Sequence, residues 1–253
     1  MPRTARRKSE TGIYHLILRG INRQAVFNDE EDIQRFLETL QKIQTESCFS
    51  IYAYCFMVNH VHLLMHEGVE SLSNAMRRLG SSYVYWYNRK YDRTGYLFQD
   101  RYKSEPVHND SYLLTVLRYI HHNPLKANLV NTVDQYKWSS YKDYVTGKGF
   151  SDIDFVLDLF HDDRERALKA FESFHDKKND DRCIDLDNSL RPTDKEATEI
   201  ICKLCSIKSP AELKKKNRTE RNQFLKQLKD DHNISVRQIQ RLTGINRGLA
   251  YKA

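Results

Sequence analysis

His60-Val61-His62 lies inside the apolar run from Phe56 to Met65. On a strand, residues i and i+2 project to one face. Both imidazoles then point the same way from a rigid backbone, as two ligands of one metal ion must. Two histidines do not complete a metal site, and two satisfied core histidines would leave the same trace in a sequence. The stretch Leu117-Arg118-Tyr119-Ile120-His121-His122-Asn123-Pro124 reads as a helix that can supply the rest. Residues four apart on a helix share a face, so Tyr119 and Asn123 lie one above the other with His122 beside them. That pairs a phenol hydroxyl with a third ligand, Asn123 or alternatively His122. The competing readings are a core tyrosine and an asparagine C-cap before proline.

The surrounding elements must bring these residues together. Ile13–Leu18 reads as a strand, followed by a turn at Gly20-Ile21-Asn22-Arg23. Asp29–Thr45 carries Ile33, Phe36, Leu37, Leu40 and Ile43 at helical spacing. Phe49–Val58 and His60–Met65 read as strands, Leu72–Tyr91 as a helix and Tyr102–Val107 as a short strand. A third helix is expected over Ser111–His122, ended by Pro124. Strand, helix, strand, strand, helix, strand is the split βαβ pattern of a ferredoxin-like antiparallel sheet. The expected fold is therefore α+β: a catalytic domain over 1–147, a helical extension and linker over 148–190, and a small all-α domain over 191–253.

Within that last domain, Ile234–Leu249 has the layout of a helix-turn-helix. Ser235 caps the first helix, Ile239 and Leu242 face inward, Gly244 makes the turn, and Ile245 and Leu249 anchor the second helix. Asn246, Arg247 and Tyr251 then face a major groove, with Arg237 and Arg241 nearer phosphate. Gln240 departs from the pattern, which usually has a small residue there.

The 253 residues carry a formal charge of +7, unevenly spread. Residues 1–150 carry +5, residues 151–190 carry −6 and residues 191–253 carry +8. Two basic regions around an acidic one suggest two units that face nucleic acid. Five scattered cysteines argue against a disulfide framework and for a cytoplasmic setting. Cys202 and Cys205 have C-x-x-C spacing but no second pair, and read as core thiols. The basic N-terminus is followed by no apolar signal segment, and no run has membrane-spanning length. Arg77, Arg78, Arg101 and Lys103, interleaved with Trp86 and Tyr102, offer cations for phosphates and rings for bases.

Taken together, Gly12-Ile13-Tyr14-His15, Arg19-Gly20, Met57-Val58-Asn59-His60-Val61-His62, Phe98-Gln99-Asp100-Arg101-Tyr102-Lys103 and Arg118–Pro124 resemble the HUH single-tyrosine transposases. The resemblance is greatest to the bacterial REP-associated tyrosine transposases, and it spans about residues 10–145. It implies that His60 and His62, with Asn123 or His122, hold Mg²⁺ or Mn²⁺ against a scissile phosphate. Tyr119 would attack phosphorus, giving a 5′-phosphotyrosine and a free 3′-hydroxyl. The covalent link conserves the phosphodiester, so rejoining needs no ATP. The implied substrate is single-stranded DNA at hairpin-forming repeats, the C-terminal domain would bind duplex DNA, and the protein would be a monomer or homodimer. Two other readings compete. A relaxase or replication-initiator nickase would be favoured by a second tyrosine beside Tyr119, which is lacking. A domesticated DNA-binding regulator would not need the complete set of His60, His62, Tyr119 and Asn123.

Overall fold

The computed structural model describes residues 6–181, 183–184, 192, 194–232 and 234–252. The chain forms two compact units, Met1–Ile184 and Asp185–Ala253.

The first unit is built on four strands: β1 (Ile13–Arg19), β2 (Ser50–Met57), β3 (His60–His66) and β4 (Lys103–Val107). They lie in the order β2-β3-β1-β4, all antiparallel. Helix α1 (Glu30–Ser47) connects β1 to β2, and α2 (Leu72–Lys90) connects β3 to β4. This is the expected split βαβ arrangement. Val58 and Asn59 form the tight turn of the β2–β3 hairpin, which sets Met57 opposite His60. A bulge between Ile51 and Ala53 shifts the register of β2. Pro106 is tolerated in β4 because that strand is an edge. At the end of β1 only glycine fits: a side chain at Gly20 would run into the carbonyl of Gln24.

Alternation along the strands divides the sheet into two faces. Leu16, Leu18, Phe56, Val61, Leu63 and Met65 pack with Phe36 and Leu40 of α1 and Leu79 and Tyr83 of α2. The opposite face carries Ile13, Cys55 and Leu64, which pack under Val116, Leu117 and Ile120 of α3 (Asp110–Lys126). Asn109 caps α3 by accepting from the Tyr112 amide. The helix does not end before Pro124, as expected from sequence, but runs through it to Lys126. A proline this close to a helix end removes one amide donor, and the last turn closes with Ala127 N–H on Asn123 O.

Three further helices complete this layer: α4 (Tyr141–Thr146), α5 (Ile153–Asp158) and α6 (Arg164–Asp176). Tyr144, Val156 and Phe171 join the core beneath α3, so the acidic stretch is a folded part of this unit through α6. Arg118 makes a two-pronged ion pair with Asp181 and also donates to Phe174 O.

A chain of buried neutral groups ties α6 to α3. His175 donates from Nδ1 to Phe171 O, which leaves its Nε2 to accept from His121 Nδ1, 2.9 Å away. His121 Nε2 then accepts from the Ser140 hydroxyl at 2.8 Å. Burial pushes His121 well below the ordinary histidine range and His175 down to about 3. Burial likewise lowers His60, His62 and His122. These groups stay neutral in the folded state where the unfolded chain already takes up protons, below pH ~6.5. Stability therefore falls as pH drops through that value and is flat above it. Thermal unfolding followed from pH 8 to pH 5 is expected to show a constant Tm down to about pH 7 and a continuous decline below.

The second unit is helical: α7 (Asp194–Cys205), α8 (Arg218–Asp230), α9 (Val236–Thr243) and α10 (Arg247–Lys252). Ser235 caps α9 through the Gln238 amide, and Gly244 ends it in the left-handed region. Ile239 and Ile245 are buried, as expected. Leu249 is not an anchor: it is 52% exposed, and Ala250 takes the inward place. In the helical register set by Ile245, residue 250 faces the core and residue 249 turns outward. Cys205 lies in this core as a free thiol, with Cys202 half-buried and also free.

Candidate functional site

Strand β3 supplies two imidazoles to the α3 face of the sheet. The rings of His60 and His62 lie 4.9 Å apart, edge to face. His15 on β1 stacks on His62 at 5.3 Å. Tyr119 on α3 meets both, 5.8 Å from His62 and 5.9 Å from His15. Its ring is 5% exposed, with Lys126 Nζ 4.5 Å from the ring centre.

Hydrogen-bond logic fixes which nitrogens are available. His60 Nδ1 lies 2.6 Å from Asn59 Oδ1, an acceptor, so the proton sits on Nδ1 and leaves Nε2 with a lone pair. Glu105 Oε2 lies 3.8 Å from His15 Nδ1, a charge contact that favours the proton there. Burial would raise the Glu105 carboxyl, but bonds from His15, the Ile184 amide and Tyr112 outweigh it and hold the group below its ordinary range. With its proton on Nδ1, His15 presents a bare Nε2 3.1 Å from His62 Nδ1, and in that tautomer His62 is the donor. His62 is left with a lone pair on Nε2. Both histidines thus carry free electron pairs on Nε2. Burial, joined by the charge of Arg19, pushes His60 down to about 4, and burial pushes His62 well down too. Both are neutral at neutral pH, the form that ligates metal.

Two oriented, neutral imidazoles, the proton of His60 backed by the Asn59 amide and that of His62 by His15, fit a divalent cation. Among the described residues, no group of three or more His, Cys, Asp or Glu side chains converges as a metal site. Any remaining ligands must therefore come from elsewhere: an amide, water or substrate oxygens. Asn123 lies one turn beyond Tyr119; its Nδ2 donates to Tyr119 O at 3.0 Å, leaving Oδ1 as its acceptor. His122 packs instead toward α6, its ring 5.8 Å from His175 and its Nε2 buried without a hydrogen-bond partner.

The basic candidates divide by position. Lys103 is exposed on β4, two residues before Glu105 and on the same face as His15. Arg77 and Arg101 line a groove beside α2. Arg78 is engaged with Glu46, Glu70 and Ser47, which makes it a brace between α2 and the end of α1. In the second unit Arg237, Asn246, Arg247 and Tyr251 are exposed, whereas Arg241 is paired in two-pronged fashion with Asp194. Glu105 has no role predicted from sequence, and that of His15 is open there. In the folded sheet, where β1 lies between β3 and β4, His15 and Glu105 face the same side as His62.

Residues 8–123 match the sequence model of the family described as Transposase IS200 like. Over these residues the chain is similar to the IS200-like transposases. Its fold is similar to that of a solved REP-associated tyrosine transposase bound to a REP hairpin, which aligns with a TM-score of 0.50 and 19% identity, covering 61% of this chain and 90% of that one. A crystal structure of a protein from Deinococcus radiodurans R1 aligns at a TM-score of 0.34 and 20% identity, over 48% of this chain and 97% of that one. No curated protein matches the chain. No described helix is long and apolar enough to cross a membrane.

Proposed function

We propose that this protein is a transposase that cuts and rejoins single-stranded DNA through a 5′-phosphotyrosine on Tyr119, at hairpin-forming repeats. The observation that carries the reading is the meeting of the Tyr119 ring with His62 and His15, where both β3 histidines keep Nε2 free. His60 and His62, with Asn123 Oδ1, would hold Mg²⁺ or Mn²⁺. When bound, the ion supplies charge neutralisation at the non-bridging phosphate oxygens.

The chain's own residues do the rest. The Tyr119 hydroxyl attacks phosphorus and gives up its proton; the bond to the 3′-oxygen breaks, and that oxygen leaves as a hydroxyl. Lys126, over the Tyr119 ring, favours negative charge developing on the phenol. In the return step a 3′-hydroxyl attacks the phosphotyrosine, and Tyr119 is released. Glu105 and His15 hold His62 in one tautomer throughout. Lys103 is placed to meet the backbone on this face.

The second unit would read duplex DNA through Asn246, Arg247 and Tyr251, with Arg237 on phosphate and Arg241 braced by Asp194. Arg247→Ala is expected to weaken binding to a cognate duplex by about 10-fold or more, measured by fluorescence anisotropy; unchanged affinity would remove this role. The cutting chemistry is tested by incubating labelled hairpin oligonucleotides with Mn²⁺ or Mg²⁺ and resolving covalent protein–DNA adducts on a denaturing gel.

A further inference from the structure

The strand that carries His15 ends in a cation beside the paired histidines. Side chains alternate along β1. Leu16 and Leu18 pack toward α1 and α2, whereas His15 meets Tyr119 and His62 on the α3 side. By the same alternation Arg19 projects to the α3 side. In the sheet Ile17 stands opposite His62, and Arg19 stands opposite His60. Directly opposed residues of antiparallel strands have Cβ atoms about 5 Å apart, which brings the guanidinium within reach of the His60 ring. Its charge is felt there: after burial, Arg19 is the second influence that lowers His60.

Three hydrogen bonds pin the backbone at this point. The Gly20 amide donates to Asn59 O at 2.9 Å, the Gln99 amide to Arg19 O at 2.8 Å, and the Ile21 amide to Leu97 O at 2.9 Å. The first ties the end of β1 to Asn59, the same residue whose side chain orients His60. Arg19 is half-buried, so water and salt screen its charge less than on an open surface. The order of groups along the face decides what that charge can do. The Tyr119 ring contacts His62 and His15, at one end of the histidine pair. Arg19 lies at the other end, across from His60. A phosphate lodged over the two free Nε2 atoms has the phenol on one side and the guanidinium on the other. In phosphoryl transfer the attacking and leaving oxygens are roughly in line through phosphorus. The end away from the nucleophile therefore belongs to the leaving group.

We infer that Arg19 is a catalytic residue whose guanidinium holds the 3′-oxygen that leaves when Tyr119 attacks. This rests on the strand-transfer reading and assigns the leaving-group side of the same reaction. As the bond from the Tyr119 oxygen to phosphorus forms, the bond from phosphorus to the 3′-oxygen breaks, and its electron pair stays on that oxygen. Arginine remains protonated in proteins. Arg19 thus stabilises the developing charge without giving up a proton, and water supplies the proton of the product hydroxyl. In the return step the same contact holds the 3′-hydroxyl in place for its attack on the phosphotyrosine. One such preorganised donor contributes about 10²- to 10³-fold in rate.

The test uses the full chain with Mn²⁺ in single turnovers. A labelled hairpin oligonucleotide is cleaved by wild type, and the scissile position is read from the product. The oligonucleotide is then remade with sulfur in place of that 3′-oxygen. A thiol ionises at pH ~8.5, far below an alcohol, so a departing thiolate needs little help. Arg19→Ala and Arg19→Gln should each cleave the oxygen substrate about 10²-fold or more slowly than wild type. Both should cleave the sulfur substrate at close to the wild-type rate. Mn²⁺ affinity, measured by electron paramagnetic resonance, should be unchanged or tighter in both variants, because a cation beside His60 has been removed. The same measurement reports that the histidine pair is still folded. An equal loss on the oxygen and sulfur substrates would overturn the proposal. So would weaker Mn²⁺ binding, which would make Arg19 a support for His60. Covalent adducts separate the two ideas. Wild type without adducts sinks the strand-transfer reading and this one with it, whereas adducts formed equally fast by wild type and both variants sink the leaving-group role alone.

Discussion

Tyr119→Phe is expected to abolish covalent capture of DNA and to slow strand cleavage by at least about 10³-fold. The substitution removes one oxygen and keeps the ring that packs on His15 and His62, so the thermal unfolding curve should stay close to that of wild type. A single-turnover assay on a denaturing gel, run beside a melting curve, separates loss of the nucleophile from loss of the fold. The other tyrosines are poorly placed to substitute. Tyr83 is buried under the opposite face, its hydroxyl bonded to Val26 O at 2.6 Å. The Tyr144 hydroxyl donates to Tyr52 O at 2.6 Å. Tyr112 is held against Glu105, and burial pushes it above the ordinary phenol range.

His62→Ala has the second large effect, and it should appear first in metal binding. Removing one of two imidazoles leaves too few ligands from the chain, so Mn²⁺ affinity measured by electron paramagnetic resonance should fall below detection and cleavage should be lost with it. His15→Asn and Glu105→Gln are expected to give an intermediate result, about 10- to 100-fold weaker Mn²⁺ binding, the usual cost of removing an orienting partner. The ranking carries the argument. Nitrogen-15 spectra of the metal-free protein should report His62 protonated on Nδ1 in wild type and a mixture of tautomers in His15→Asn. Wild-type Mn²⁺ affinity in His15→Asn would mean that the Glu105–His15–His62 chain orients nothing.

The fold was legible because its signals are local. Alternating and helical periods marked β1 through α3, and the order of elements led to the sheet topology. Pro124 misled because proline's effect depends on its distance from the helix end, and the last turn tolerates it. Leu249 misled because α10 is short, and a one-residue change in its register swaps Leu249 for Ala250. The pairing of β3 with α3 could be anticipated from the i, i+2 and i, i+4 spacings. The Glu105–His15–His62 chain could not, because it depends on β1 lying between β3 and β4, and that order is a property of the folded sheet. Arg78 and Arg241 looked like free cations in the sequence; their partners Glu46, Glu70 and Asp194 lie far away along the chain.

The most direct test of the account is peptide mapping of the covalent product. Wild-type protein is incubated with a single-stranded hairpin oligonucleotide and Mn²⁺, quenched in denaturant, digested and analysed by mass spectrometry. The expected product is a nucleotide joined through its 5′-phosphate to the peptide containing Tyr119, absent when the metal is chelated. A nucleotide on any other tyrosine, or tight hairpin binding with no adduct under Mn²⁺ or Mg²⁺, would contradict it.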